Sequence, residues 1–334
     1  MTSTVVEKPA LEAEFAQLVA GCGFIELSNR ATLSITGGDR VRWLNGMITN
    51  NVRDLAVGHG IYAFLLNPQG HILADLYAFN RGDSILVNTA QSQVEKILAT
   101  FDHYIIMDDV EVVNVSDKSS STAIAGPQAQ KVLRAAGFNV DPLERLQISG
   151  IIWHEKEVFV VRGDNPAVDW YEIWASSQDA KSICDSLRKS GATSLSDSAG
   201  ELLRIASGVP KYGSDIRERD LPQETSQERA LNFNKGCYIG QEIVERIRSR
   251  GAVHRKFAGF EVQGLLPSLG TKIQLDGKDV GEITSVATLP TPHGRRNVAL
   301  GYIRREIASP DKPLTAGGSR LSLSGLPFAG IFPS

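Results

Sequence analysis

Phe233-Asn234-Lys235-Gly236-Cys237-Tyr238-Ile239-Gly240-Gln241-Glu242 is followed by an amphipathic run that continues to about Ser249. Gly236 and Gly240 bracket Cys237, so the backbone can turn tightly here and approach a ligand closely. The spacing predicts a helix that begins near Ile239–Gln241. A thiol just ahead of a helix N-terminus feels the positive end of the dipole, and Lys235 adds a nearby cation. Both favour the thiolate and mark Cys237 as a candidate reactive sulfur. The competing reading is that Cys237 is an ordinary small buried hydrophobe.

Outward from this segment, the texture divides the chain in two. After Arg255, strand-like runs recur at Phe257–Val262, Thr271–Leu275, Gly281–Ala287 and Val298–Ile303, broken by Asp276-Gly277 and Pro290-Thr291-Pro292. This predicts a separate β-barrel or sandwich over 255–334. Residues 1–254 mix helices with hairpins, which predicts an α+β region, with internal boundaries expected near 50 and 116–122. A first helix is expected from Pro9 to about Val19, and a strand at Ala31–Thr36. A short helix enters at Gly38-Asp39. Ile61–Leu66 and His71–Phe79 flank the turn Asn67-Pro68-Gln69-Gly70 and read as a hairpin. A helix over Gln91–His103, a strand over Ile105–Val115 and a helix from Gly126-Pro127 to Gly137 follow. Strands then fall at Ile151–His154, Val158–Arg162 and Trp170–Trp174, and a helix over Gln178–Lys189.

Composition limits the function classes. With 334 residues the chain is long enough for two or three domains. A net charge of −3 provides no global basic field, so direct RNA binding and membrane-surface binding have little electrostatic support. The local run Arg246, Arg248, Arg250, Arg255, Lys256 reads as a solvated face. Cys22, Cys184 and Cys237 lie far apart with no Cys-x-x-Cys pair, which argues against structural zinc, a disulfide framework or a bound iron–sulfur cluster. The sequence has no signal-peptide pattern and no apolar run of spanning length, and a cytoplasmic location is expected. The dinucleotide, P-loop and zincin patterns are missing, so no metal ligand is assigned.

Leu221-Pro222-Gln223-Glu224 followed by Lys235 to Glu242 resembles the hallmark of the YgfZ family. These are folate-binding, tRNA-modification-linked proteins that help maintain iron–sulfur enzymes, and relatives of the glycine-cleavage T-protein aminomethyltransferases. The resemblance extends to Gly38-Asp39-Arg40, Leu44-Asn45-Gly46 through Thr49-Asn50, and Asn67-Pro68-Gln69-Gly70 through Ala74-Asp75-Leu76. It continues in Gly208-Val209-Pro210 through Asp215-Ile216 and in the barrel, and is loose only over about 110–165. It implies a T-protein-like fold, with two α+β subdomains and a C-terminal β-barrel around a central folate-sized opening. The implied cofactor is tetrahydrofolate or a one-carbon-substituted folate, and the implied partners are iron–sulfur proteins or their assembly machinery.

A pterin site needs a carboxylate to accept from the ring's amino and N–H groups, an aromatic wall, and a cation for the glutamate tail. Glu172, in Tyr171-Glu172-Ile173, resembles the T-protein residue that faces the pterin; the alternative is a solvent-facing strand residue. Arg204 matches the superfamily's Leu-Arg pair and is expected at the tail, or in a structural ion pair. Asn45, Thr49 and Asn50 either polarise the cavity or cap local turns, and Lys235, Tyr238 and Gln241 complete the ligand-side set. Trp43 and Tyr62 read as core. Where T-proteins carry two adjacent aspartates this chain has Ala74-Asp75, which leaves Asp75 as the remaining catalytic carboxylate and weakens one-carbon transfer. The leading expectation is a folate-binding accessory protein for iron–sulfur assembly or repair with Cys237 as its thiol. A tetrahydrofolate-dependent aminomethyltransferase comes second, and a non-catalytic folate-binding scaffold third.

Overall fold

A computed structural model describes residues 8–251, 253–307 and 313–332. The chain opens with α1 (Lys8–Ala20), β1 (Gly23–Glu26), β2 (Arg30–Thr36) and α2 (Arg40–Met47). It continues through β3 (Gly60–Leu66), β4 (Ile72–Asn80), β5 (Ile85–Ala90), α3 (Val94–Tyr104) and β6 (Glu111–Asn114). β7 (Ser119–Ala125), α4 (Ala129–Ala135), β8 (Ile148–Trp153), β9 (Lys156–Arg162) and β10 (Trp170–Ser176) follow. Next come α5 (Ala180–Lys189), β11 (Thr193–Ser194), α6 (Asp197–Ala206) and α7 (Gln241–Arg250). The last part is β12 (Arg255–Gln263), β13 (Lys272–Leu275), β14 (Lys278–Thr291), β15 (Gly294–Arg304), β16 (Leu314–Ala316) and β17 (Ser319–Ser324).

These strands form three sheets. One has the order β3-β4-β5-β2-β6, a second β11-β1-β7-β10-β9-β8, and the third closes as a barrel, β12-β15-β14-β13-β16-β17. The chain starts in the second sheet with β1, crosses to build the first, and returns at Ser119. No division falls near residue 50, because α2 and the strands on either side of that position belong to one sheet unit with one core. Strict alternation places Ala63, Leu65, Ala74, Leu76 and Ala78 in that core, and turns Tyr62, Phe64, Asp75 and Tyr77 to the opposite face.

Two local expectations are corrected. The strand expected over Ile105–Val115 shrinks to β6, and Ile106 and Met107 stand 80% and 94% exposed in a turn. Asp39 and Asp109 hold that turn by capping each other's backbone, with Asp109 Oδ2 accepting from the Gly38 N–H at 2.7 Å and Asp39 Oδ2 from the Asp109 N–H at 3.0 Å. Pro290 and Thr291 do not break the barrel, since they pair with Arg295 and Gly294 at the hairpin end. The polar Ser119–Ser121 begins β7, where the chain crosses from the first sheet back to the second. The sequence reading also missed β1, where a Cβ on Gly23 would come within 2.1 Å of the Leu195 side chain and force it to shift.

The barrel docks on α1 and α6 through Phe15, Leu18, Leu203, Phe257, Leu300 and Tyr302. Polar staples flank this apolar contact. Asp215, fully buried, accepts from Arg204 Nη1 at 2.7 Å, Thr284 Oγ1 at 2.5 Å and Ser285 Oγ at 2.8 Å. Arg255, which the sequence placed on a solvated face, pairs instead with Asp220 at 2.6 Å and Glu224 at 3.0 Å. Glu282 of β14 accepts from Arg217 at 2.6 Å and Lys272 at 2.8 Å. Burial alone would raise the Glu282 carboxyl, but these two hydrogen-bonded cations hold it down at about 2.

The sign of the pH effect follows. A carboxyl lowered in the folded state adds stability above its unfolded pKa and loses it as the pH falls toward the folded value. Wild-type protein should therefore lose stability between about pH 4.5 and 2 in part through Glu282, and Glu282→Gln should flatten that share of the slope. Urea unfolding across this range checks it, and identical slopes would remove Glu282 from the staple.

Candidate functional site

The segment from Phe233 to Glu242 is a clasp. Lys235 is buried, and its Nζ donates to the carbonyls of Asn45, Ile48 and Asn50 at 2.5, 2.6 and 2.8 Å, at the C-terminal end of α2. Burial pushes its ammonium down to about 7. The three carbonyls and the negative end of the α2 dipole oppose that shift, because only an ammonium offers three N–H donors. Tyr238 is buried beside Tyr62, Phe64 and Ile72. Gly240 has φ +79°, and a Cβ there would lie 2.6 Å from the Asn67 carbonyl oxygen, so it seats the segment against the β3–β4 turn. Its close approach is to that hairpin, where the sequence suggested a ligand. Gln241 opens α7, its Oε1 accepting from the Tyr238 N–H at 3.2 Å.

Cys237 is left exposed as a free thiol. The small-buried-hydrophobe reading does not hold for it, and it does hold for Cys22 and Cys184, which lie buried in the core of the second sheet. Lys235 does not serve the sulfur as a free cation, since its ammonium is turned inward to α2.

Two carboxylates stand on facing surfaces of the two sheets. Asp75 shares its face of β4 with Tyr77 and Phe79, and Glu172 shares its face of β10 with Trp170 and Trp174. The faces meet where the Phe79 ring packs edge-on against Trp174, centroids 5.2 Å apart. Asp75 accepts from Tyr62 OH and from Gln93 Nε2, each at 2.8 Å. Glu172 accepts from Trp174 Nε1 at 2.8 Å, and from Trp170 Nε1 and Ser121 Oγ at 3.2 Å. All these donors are neutral. A carboxylate offers about four lone-pair sites, so Asp75 keeps two and Glu172 one for a ligand's N–H groups. Tyr62 is core in burial, as expected, yet its hydroxyl serves the site. Burial and the neighbouring Asp75 charge push that hydroxyl well above its usual range, so it stays a donor.

The remaining sequence candidates hold the scaffold. Arg204 donates to Glu201 through Nε and Nη2, to Val209 O and Asp215 through Nη1, and to Ser285 through Nη2. All five of its N–H groups are thereby used, which corrects the expectation that it reaches a ligand tail. Asn45 Oδ1 accepts from the Val52 and Arg53 N–H groups. Thr49 Oγ1 bridges Ala230 O and the Phe64 N–H, and Asn50 Nδ2 donates to Tyr62 O and Arg229 O. These three fix turns, with Thr49 and Asn50 binding the turn just ahead of the clasp to β3. The sequence reading missed Gln93, Trp170 and Trp174 as partners of the two acids, although the period-two run Trp170-Tyr171-Glu172-Ile173-Trp174 was the available signal.

Comparison with known proteins agrees with this architecture. Residues 4–235 match the family described as GCVT N-terminal domain, and residues 254–328 match the CAF17 C-terminal β-barrel domain. The aminomethyltransferase of Halothermothrix orenii is 27% identical over 322 residues, 92% of this chain and 88% of that one. That of Rubrobacter xylanophilus is 27% identical over 305 residues, covering 90% and 81%. The crystal structure of aminomethyltransferase T from Bartonella henselae superposes with a TM-score of 0.87 at 22% identity, covering 96% of this chain and 90% of that one, and shares its fold. A T-protein-like body and a CAF17-type barrel together define the class. The chain belongs to the GCVT family and carries a CAF17-type C-terminal β-barrel.

Lys235→Met should destabilise the protein by about 2–4 kcal/mol, because it leaves three carbonyls without a donor in a buried site. Thiol labelling of Cys237 should speed up in the same variant as the clasp loosens. Urea unfolding and labelling rates check both, and an unchanged midpoint would mean that the clasp does not depend on this ammonium.

Proposed function

We propose that this protein binds a reduced folate between the faces carrying Asp75 and Glu172 and works as an accessory factor for iron–sulfur proteins, with Cys237 as its thiol. The observation that carries the reading is the division of labour in the clasp, where Lys235, Tyr238, Gly240 and Gln241 are used internally and Cys237 faces solvent. The residues present fit a folate: both carboxylates lack cationic partners and keep free acceptor sites, and Trp170 and Trp174 flank one of them. The family resemblance and the use of tetrahydrofolate across GCVT aminomethyltransferases support the same ligand. A reduced folate supplies nitrogens that carry a one-carbon unit. Asp75 would accept an N–H or hold a proton at that end, oriented by Tyr62 and Gln93. Glu172, fixed by its two indoles, would accept from the other.

One observation favours the second reading, one-carbon transfer. Ala74 is fully buried in the core behind the first sheet, whereas Asp75 is on the site-facing side. An acid at position 74 would point into that core, so the alanine takes nothing from the Asp75 face. The lone acid is then a weaker argument against transfer than the sequence suggested.

Cys237→Ser should keep its unfolding midpoint within about 0.5 kcal/mol of wild type, as exposed substitutions do, and should fail to restore an iron–sulfur enzyme in cells lacking the protein. Full restoration by the folded variant would contradict the thiol role. A wild-type protein that turns over an aminomethyl donor with tetrahydrofolate would move the second reading to first.

A further inference from the structure

Arg204 being committed elsewhere, the site has another guanidinium close at hand. Arg229, in the turn Glu228–Ala230 just ahead of the clasp, lies with its Cζ 4.5 Å over the Tyr62 ring. Its Nη1 pairs with Asp164, from the β9–β10 connection of the second sheet, and Asp164 Oδ1 accepts from Tyr77 OH at 3.0 Å. Tyr77 in turn packs 5.0 Å from Tyr62, whose hydroxyl holds Asp75. Three parts of the molecule therefore meet at this pair, directly beside the Asp75 face.

The pair can open. The Arg229 side chain is 36% exposed and that of Asp164 16%, so the cation is reachable from solvent while the acid is the more enclosed partner. The Arg229 backbone is fixed independently, its carbonyl accepting from Asn50 Nδ2 at 2.9 Å, so the side chain can exchange partners without unseating the turn. A guanidinium prefers a bidentate carboxylate in a desolvated setting. We infer that Arg229 is the specificity-determining cation of the folate site, taking the carboxylate of the ligand's glutamate tail in exchange for Asp164. Asp164 then acts as an internal stand-in that occupies Arg229 until a carboxylate-bearing ligand arrives. This rests on the folate reading and deepens it by naming the part of the ligand that Arg229 reads.

The test compares two ligands by calorimetry, 5-formyltetrahydrofolate and 6-methyltetrahydropterin, which has the reduced pterin and lacks the benzoyl-glutamate. Arg229→Gln should weaken the folate about tenfold, the equivalent of one part-exposed charge pair, and leave the tetrahydropterin within about twofold of wild type. Asp164→Asn keeps an acceptor for Tyr77 and frees Arg229, so it should tighten the folate severalfold and again spare the tetrahydropterin. Equal losses for both ligands, or an unchanged folate constant in Arg229→Gln, would overturn the assignment while leaving the folate reading intact. Should Arg229→Gln not fold, Asp164→Asn decides alone, and no gain for the folate overturns the exchange. Wild-type protein that binds neither ligand overturns both the folate reading and this inference.

Discussion

Three carbonyls at the end of α2 need a donor, and the Lys235 ammonium supplies one to each. On that constraint depends the placement of the clasp, and on the clasp the placement of much else. Held at Lys235, the chain drops Tyr238 into the cluster under β3 and β4 and lays Gly240 on the hairpin turn. α7 then starts where Gln241 can cap the backbone of Tyr238. Just upstream, Thr49 and Asn50 tie the Arg229–Ala230 turn to β3. A glycine with positive φ, a buried cation and a buried tyrosine are thus one device. Its product is a rigid base from which Cys237 projects.

The site follows a different rule from the scaffold. Scaffold acids such as Asp215, Asp220 and Glu282 are matched to arginine or lysine, which suits them to joining the barrel to the body. Asp75 and Glu172 are held by hydroxyl, amide and indole donors instead. Neutral donors orient a carboxylate without cancelling its charge, so it remains available to a ligand. The same contrast separates Arg204, saturated within the scaffold, from Arg229, itself part-exposed and paired with a single acid beside the Asp75 face.

Much of the fold was legible because its signals are local. The alternation in Ile61–Leu66 and His71–Phe79 with a Pro-Gln-Gly turn defines β3 and β4, and the helical spacing of Leu11, Phe15 and Leu18 defines α1. The short strands after Arg255 read as the barrel they form. Ile105–Val115 misled because its apolar residues are at a surface turn held by aspartates, a long-range exchange that no window of sequence contains. At the site, Asp75 and Glu172 were legible as residue types in a recognisable pattern. The roles of Arg204 and Thr49 were not, because each depends on partners far away in the chain, such as Ser285 for Arg204 and Ala230 for Thr49. Ala74 shows the same limit: its neighbour Asp75 could be singled out as an acid, and the face each of them points to emerged only with the sheet.

The central claim is that a reduced folate is read by carboxylates left free of counter-ions, and Asp75 offers the cleanest test of it. Asp75→Asn is nearly isosteric, and its amide can still exchange hydrogen bonds with Tyr62 OH and Gln93 Nε2. Calorimetric titration of wild type and Asp75→Asn with 5-formyltetrahydrofolate should show binding to wild type and a loss of about tenfold or more in the folded variant, since a charge-assisted acceptor is replaced by a neutral one. Equal dissociation constants for the two proteins would contradict the account.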